Sequence, residues 1–223
     1  MRRELKYTVP GSDMRLSLTR LRSLVPSLRL EHAPRQVTNV YFDSAHYACY
    51  HASTSGLARR LKVRVRWYDD IDVARNPVLE LKHRVGQRGW KTRFPIEGLD
   101  LEHMTWNELR SRIWAQLPAA QAIRLAPLRF PVLLVTYRRH YFCSPDRRVR
   151  VTVDRHLRYF DQRNRPYPNF VFDTVSAECG VVECKLEEGS DVAAARILHP
   201  LGLRWTRFSK YCHGVEALSR RPG

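Results

Sequence analysis

Carboxylates are scarce in this chain. Lys and Arg number 39 against 22 Asp and Glu, a formal net charge of +17 over 223 residues. An excess of that size implies an anionic partner, whether nucleic acid, an acidic membrane surface or a polyanionic metabolite, and charge alone does not choose among them. A run of about 18 apolar residues is also missing, so no membrane-spanning helix is expected. The N-terminus enters Arg2-Arg3-Glu4 without the apolar stretch of a signal peptide. Five cysteines, Cys49, Cys143, Cys179, Cys184 and Cys212, form no C-x-x-C pair, which argues against a disulfide framework and a zinc knuckle and for free thiols in a reducing cytoplasm. The nine histidines lack H-x-x-x-H and H-E-x-x-H spacing, so zinc ligation is not indicated. Gly86-Gln87-Arg88-Gly89-Trp90-Lys91-Thr92 superficially suggests a P-loop, but Trp90 separates Gly89 from Lys91 and no helical pattern follows. Internal repeats, low-complexity linkers and composition breaks are absent. With 43% hydrophobic residues, the expectation is one folded domain over residues 1–218 and a short polar tail at 219–223.

What is present is mostly period two. Residues 2–9, 37–43, 57–68, 77–84, 90–96, 132–142, 147–154, 170–176 and 178–186 read as strands. Gly86-Gln87-Arg88-Gly89 and Ser144-Pro145-Asp146 read as hairpin turns. Helical spacing appears at 13–25 (Leu16, Leu21, Leu24), 105–117 (Trp106, Leu109, Ile113, Leu117), 190–198 and 209–219. Thr105-Trp106-Asn107-Glu108 fits a capping box, and Ser190 is a candidate N-cap. Together these predict a mostly antiparallel α+β protein with a few helices packed outside the sheet.

In a strand, residues i, i+2 and i+4 share a face. Lys62, Arg64 and Arg66 therefore lie together, with Leu61, Val63 and Val65 on the other side. The pattern recurs in Glu4 and Lys6, in Glu80, Lys82 and Arg84, in Lys91 and Arg93, in Arg148, Arg150, Thr152 and Asp154, and in Glu183 and Lys185. One such strand would read as solvated. Six of them, chiefly Arg and Lys with a single carboxylate on a few, read as a functional surface. The apolar faces supply what the helical stripes need, so helices outside would turn the charged faces inward.

Like charges two residues apart on a strand sit about 6.6 Å from each other and repel by roughly 2.5 kcal/mol at an effective dielectric near 20. Several such pairs rival the ~5 to 15 kcal/mol stability of a domain. Such an interior must be wet, laced with carboxylates or filled by a polyanion. Glu4, Glu80 and Glu183 are too few to neutralise the rows but enough to ligate a hard cation such as Mg2+ or Mn2+. Asp43 reads as a strand-end turn residue or as a partner for a basic neighbour. Trp67, Tyr68, Trp90 and Tyr137 read as core aromatics rather than base-stacking platforms.

These residues resemble the triphosphate tunnel metalloenzymes (CYTH-like), and within them the polyphosphate polymerase domain of the vacuolar transporter chaperone (VTC). The resembling segments are Glu4-Leu5-Lys6-Tyr7, Val40-Tyr41-Phe42-Asp43, Lys62 to Tyr68, Glu80-Leu81-Lys82-His83, Lys91-Thr92-Arg93, Tyr137-Arg138-Arg139, Val149 to Asp154, Val182-Glu183-Cys184-Lys185 and Phe208-Ser209-Lys210-Tyr211. Arg2 stands where the wider superfamily has the first Glu of Glu-x-Glu-x-Lys, which favours the VTC branch. The added inositol-phosphate-sensing domain and membrane segment of eukaryotic VTC polymerases are missing from this sequence.

The resemblance implies an eight-stranded antiparallel β-barrel tunnel with helices packed outside. Lys6, Lys62, Arg64, Arg66, Lys82, Lys91, Arg93, Arg139, Arg150, Lys185, Arg207 and Lys210 would bind phosphate, with Arg139, Lys82, Lys91 and Glu183 acting in catalysis. Glu183, with Glu4 and Glu80, would hold Mn2+ or Mg2+. The implied reaction passes the terminal phosphoryl group of ATP, or of inorganic triphosphate, to a growing polyphosphate end or to water. Implied partners are those triphosphates, polyphosphate and a separate membrane protein, with nucleic acid ranked below them. Two classes of function therefore compete: a polyphosphate polymerase or tri/polyphosphatase, and a non-catalytic polyphosphate- or RNA-binding module.

Overall fold

The computed structural model describes residues 3–23, 28–171, 173–174 and 179–220. Arg2, Leu24 and the tail beyond 220 lie outside them. Alternating apolar residues set nine strands: β1 (Arg3–Pro10), β2 (Arg29–Asp43), β3 (Arg59–Tyr68), β4 (Arg75–Val85), β5 (Arg88–Pro95), β6 (Phe130–Cys143), β7 (Val149–Asp161), the two-residue β8 (Asp173–Thr174) and β9 (Cys179–Leu186). Eight of them form an antiparallel sheet in the order β1-β9-β7-β6-β2-β3-β4-β5, and β8 pairs with β7. Among the described residues the six α-helices are α1 (Met14–Ser23), α2 (Ala48–Thr54), α3 (Trp106–Ala115), α4 (Ala119–Leu125), α5 (Asp191–Leu198) and α6 (Lys210–Ser219). Among the described residues no helix is long and apolar enough to cross a membrane.

The chain divides into two compact units, one of residues 1–35, 137–157 and 175–208, the other of residues 36–136, 158–174 and 209–223. The first buries Val9, Met14, Leu18, Leu21, Phe142, Val149, Val151, Val153, Val182 and Ile197, so α1 and α5 cover one face of β1, β9 and β7. The second buries Phe42, Val63, Val65, Trp67, Leu79, Leu81, Trp106, Leu109 and Ile113 between α3 and one face of β2, β3 and β4. In both, the apolar halves of the alternating strands meet the helical stripes, which leaves the charged halves for the opposite face.

Glu108 N donates to Thr105 Oγ1 at 3.3 Å and Thr105 N donates to Glu108 Oε2 at 2.7 Å, so the expected capping box closes at α3. Ser190 occupies the N-cap of α5, but its hydroxyl makes no capping bond and is buried without a partner. Its φ of −104° and ψ of 14° are not the extended values that aim an N-cap side chain at the first turn. Along α1 the buried residues are Met14, Ser17, Leu18 and Leu21, while Leu16 is exposed. Leu21 therefore lies on the buried stripe as the spacing suggested, whereas Leu16 does not, its place being taken by Ser17 and Leu18. α2 and α4, seven residues each, are too short for a helical period to show.

Candidate functional site

The second unit carries a basic face. On β3, Lys62, Arg64 and Arg66 are half-buried and alternate with the buried Val63, Val65 and Trp67. The pairing of β3 with β4 and β4 with β5 puts Arg64, Glu80 and Arg93 in one cross-strand row and Lys62, Lys82 and Lys91 in the next. The first row has its own counter-charge. Glu80 accepts from Arg64 Nε at 2.9 Å and from Arg64 Nη2, and it meets Arg93 Nε at 3.2 Å and Arg66 Nη1 at 3.8 Å. Burial pushes the Glu80 carboxyl up, but Arg64, Arg66 and Lys91 outweigh it and hold the group well below the usual carboxylate range. The second row is three ammonium groups with no acid in it.

Neighbouring side chains fix the aim of these cations. Arg64 Nη1 donates to the Tyr41 hydroxyl at 3.1 Å and Arg66 Nε to Asn39 Oδ1 at 2.8 Å. Lys62 Nζ donates to Ser209 Oγ at 2.6 Å and lies 5.9 Å from the centre of the Tyr211 ring. Ser209 is also the N-cap of α6, accepting from Cys212 N at 3.3 Å, so one hydroxyl starts the helix and steers a lysine. Lys210 follows it, half-buried in the first turn.

Asp43 is wholly buried at the end of β2. It accepts from the backbone N–H groups of Ser44 (2.7 Å), Cys49 (2.8 Å) and Tyr50 (3.0 Å) and from the Tyr211 hydroxyl. Its role is to tie β2 to α2 and α6, the turn-residue reading of the two the sequence allowed. Burial, and then Asp43, push the Tyr211 hydroxyl well above its ordinary value, so it stays a donor. Tyr211 stacks on Tyr41 at 5.0 Å, which fixes the ring beside Arg64.

The first unit carries a face of mixed sign. Register across β1, β9 and β7 gives the rows Glu4-Lys185-Arg150 and Lys6-Glu183-Thr152. Lys6 Nζ lies 2.9 Å from Glu4 Oε1 and 3.8 Å from Glu183 Oε2, and Lys185 Nζ lies 2.8 Å from Glu183 Oε1. Two carboxylates thus converge on one cationic point. The Thr152 hydroxyl, opposite Glu183, is buried without a partner. Arg139 is clamped by Asp154 through Nε at 2.6 Å and Nη2 at 2.8 Å. Burial opposes the charge on Arg139, but Asp154, with Tyr137 and Glu183, raises its pKa well above the ordinary value. Arg207 is exposed between two residues anchored to Lys6: Thr206 N donates to the Lys6 carbonyl at 2.9 Å and Lys6 Nζ approaches the Phe208 carbonyl at 3.5 Å.

The candidate set therefore falls into two groups. Lys62, Arg64, Arg66, Lys82, Lys91, Arg93, Lys210 and Glu80 belong to the second unit; Glu4, Lys6, Arg139, Arg150, Lys185, Arg207 and Glu183 belong to the first. Of the three proposed metal carboxylates, Glu4 and Glu183 come together at Lys6, whereas both oxygens of Glu80 are engaged by arginines. No group of three or more His, Cys, Asp or Glu side chains is disposed to hold a metal among the described residues. Sequence reasoning missed the roles of Asp154, Ser209, Asn39 and Thr152. Asp154 carried a usable signal: the Ser144-Pro145-Asp146 turn sets a hairpin whose register brings it to Arg139. Trp67 and Tyr137 are core residues as expected, but Trp90 is exposed and stacked on His83 at 4.9 Å.

The fold has counterparts among solved structures. The PH1819 protein of Pyrococcus horikoshii is similar over 97% of this chain and 98% of its own, at 14% identity and a TM-score of 0.51. A candidate adenylate cyclase from Vibrio parahaemolyticus is similar over 98% and 97%, again at 14% identity and a TM-score of 0.51. The fold class is that of the triphosphate tunnel proteins. The family is narrower: the VTC domain model matches residues 1–219, and the chain belongs to the VTC domain family. No curated protein sequence matches it.

Proposed function

We propose that this chain is a metal-dependent phosphotransferase that moves the terminal phosphoryl group of a nucleoside triphosphate to the end of a polyphosphate chain. The observation that carries the reading is the cross-strand row Lys62-Lys82-Lys91. Like charges placed directly opposite on a sheet are destabilising, and a polyphosphate is the ligand that turns three such ammonium groups into an asset. Arg64, Arg66 and Arg93 extend the phosphate path on the same face. In the family's assignment Lys6, Arg139, Arg150, Lys185 and Arg207 of the first unit and Lys210 of the second are phosphate-binding as well.

A divalent cation fits the donor set of the first unit. Glu183 and Glu4 already draw one cationic group between them, and Mg2+ or Mn2+ needs only one or two carboxylates when phosphate oxygens and water fill the other positions. Bound there, it would neutralise charge on the transferring phosphoryl group. The chain's own part is positioning. In transfer the bond from the terminal phosphorus to its bridging oxygen breaks, a bond to the acceptor oxygen forms, and nucleoside diphosphate leaves. Arg139, held rigid by Asp154, would stabilise charge on the phosphoryl oxygens without reorganising.

Hydrolysis of the terminal phosphate is the second reading, since it uses the same grip with water as acceptor. Incubation with ATP and Mn2+, with products resolved by chain length, separates the two. Polymer supports the transferase and orthophosphate alone the hydrolase. Absence of both, with triphosphate binding that needs neither Glu183 nor a divalent ion, would leave a polyphosphate- or RNA-binding module.

A further inference from the structure

A second group of cations in the first unit lies away from the face just described. On β6, Arg139 points to Asp154 on β7, so by strand alternation Arg138, His140 and Phe142 point to the other side of β6, and Val153 and Arg155 to the other side of β7. Phe142 and Val153 pack with Leu18 and Leu21 of α1 in one buried cluster. Arg22 follows in the last turn of α1. The apolar contact under α1 therefore ends in Arg22, Arg138, Arg155 and His140.

Two features of this cluster are unusual. His140 is only 6% exposed, and neither of its ring nitrogens has a hydrogen-bond partner. Buried polar groups are nearly always satisfied. Among the described residues no carboxylate forms an ion pair with Arg22, Arg138 or Arg155, and Arg155 Nε is likewise buried without a partner, its Nη2 meeting only the ring of His156 at 3.2 Å. Burial first, and then Arg155, Arg22 and Arg138, hold the His140 imidazole below its ordinary pKa, with Asp154 acting weakly the other way. Three guanidinium groups thus act on an unsatisfied imidazole, with donors to spare and no carboxylate paired to any of the three among the described residues.

We propose that Arg22, Arg138, Arg155 and His140 form a second anion site, separate from the transfer site, that takes a single phosphate group. A tetrahedral phosphate offers several strong acceptors, matches the fork of guanidinium donors, and gives the buried imidazole a partner. Both free orthophosphate and the terminal group of a polyphosphate chain present this chemistry. The site acts through binding alone, so it stands or falls independently of the transferase reading.

The test follows the ring resonances of His140 by NMR, assigned with His140→Gln, while inorganic phosphate is added to the protein at constant ionic strength. The expected result is a saturable shift that moves the imidazole toward its protonated form. Affinity should weaken at least tenfold in the double variant Arg138→Ala/Arg155→Ala, which removes side chains at the rim of the cluster, and stay unchanged in Lys91→Ala. Repeating the titration with tripolyphosphate in the Lys91→Ala background distinguishes the sources: tighter binding than orthophosphate marks a chain end, equal or weaker binding the free ion. Resonances that do not move, that move only in proportion to salt, or that lose their response equally in Lys91→Ala would overturn the proposal. So would a short RNA that shifts them when phosphate does not.

Discussion

Arg139 and Glu183 show how one charged face can hold opposite duties. Glu183 touches Lys6 and Lys185 and stands as the proposed metal carboxylate, so Glu183→Gln should abolish most turnover while metal-free triphosphate binding stays equal or tightens, because one negative charge leaves a basic site. Arg139→Ala should weaken binding and turnover together, turnover on the order of a hundredfold or more, and it also strands the buried Asp154. Isothermal titration with and without Mn2+, set beside turnover, reads the difference; equal loss of binding in both variants would contradict it. Glu80 gives a pH prediction. Its folded pKa is depressed, so its stabilisation is present above the unfolded carboxylate pKa of about 4.3 and is lost as pH falls through the folded value. Wild-type urea midpoints should decline progressively below about pH 4.3, whereas Glu80→Gln, lower by about 3 kcal/mol at neutral pH, should decline less steeply.

At the scale of elements, the sequence shows why some features are legible and others are not. Alternation located β1, β3, β4, β5, β6 and β9 within two residues, most plainly in β3, where buried Val63, Val65 and Trp67 alternate with half-buried Lys62, Arg64 and Arg66. β2 begins eight residues earlier than alternation suggested: its first part, Arg29 to Gln36, faces outward and contains Pro34, so no apolar rhythm marks it. β7 runs past Asp154 to Asp161, and His156, with φ 52°, breaks the period on the way. The pairing of Lys62, Lys82 and Lys91 needed the register, which the Gly86-Gln87 turn fixes by placing Val85 opposite Arg88. That row makes a prediction of its own. Lys82→Gln should leave the ligand-free protein as stable as the wild type or up to about 1 kcal/mol more stable, yet weaken tripolyphosphate binding at least tenfold. Chemical denaturation paired with a binding titration checks it; a protein that loses stability and keeps its affinity would show that Lys82 serves the fold instead.

Over the whole molecule, the +17 charge couples ligand to stability. A polyanion that binds the folded state and not the unfolded chain stabilises it by about 2.7 kcal/mol at one hundred times its dissociation constant. For a chain of this length each kcal/mol raises Tm by roughly 2 to 4 °C, so tripolyphosphate at that level should lift the melting temperature by about 5 to 11 °C. Part of the gain is screening, which any salt supplies, and the two contributions separate by ionic strength. Several Lys and Arg groups acting together on one chain of phosphates make affinity fall steeply with salt. The ligand-induced shift should therefore shrink as NaCl rises from 50 to 500 mM (about 0.05 to 0.5 M), while the ligand-free protein, relieved of its internal repulsion, should melt slightly higher. The two curves should converge. A shift that ignores salt would mean that a nucleoside or another uncharged part of the ligand provides the contact, and an unchanged melting curve at millimolar tripolyphosphate would remove the case for a polyphosphate site altogether.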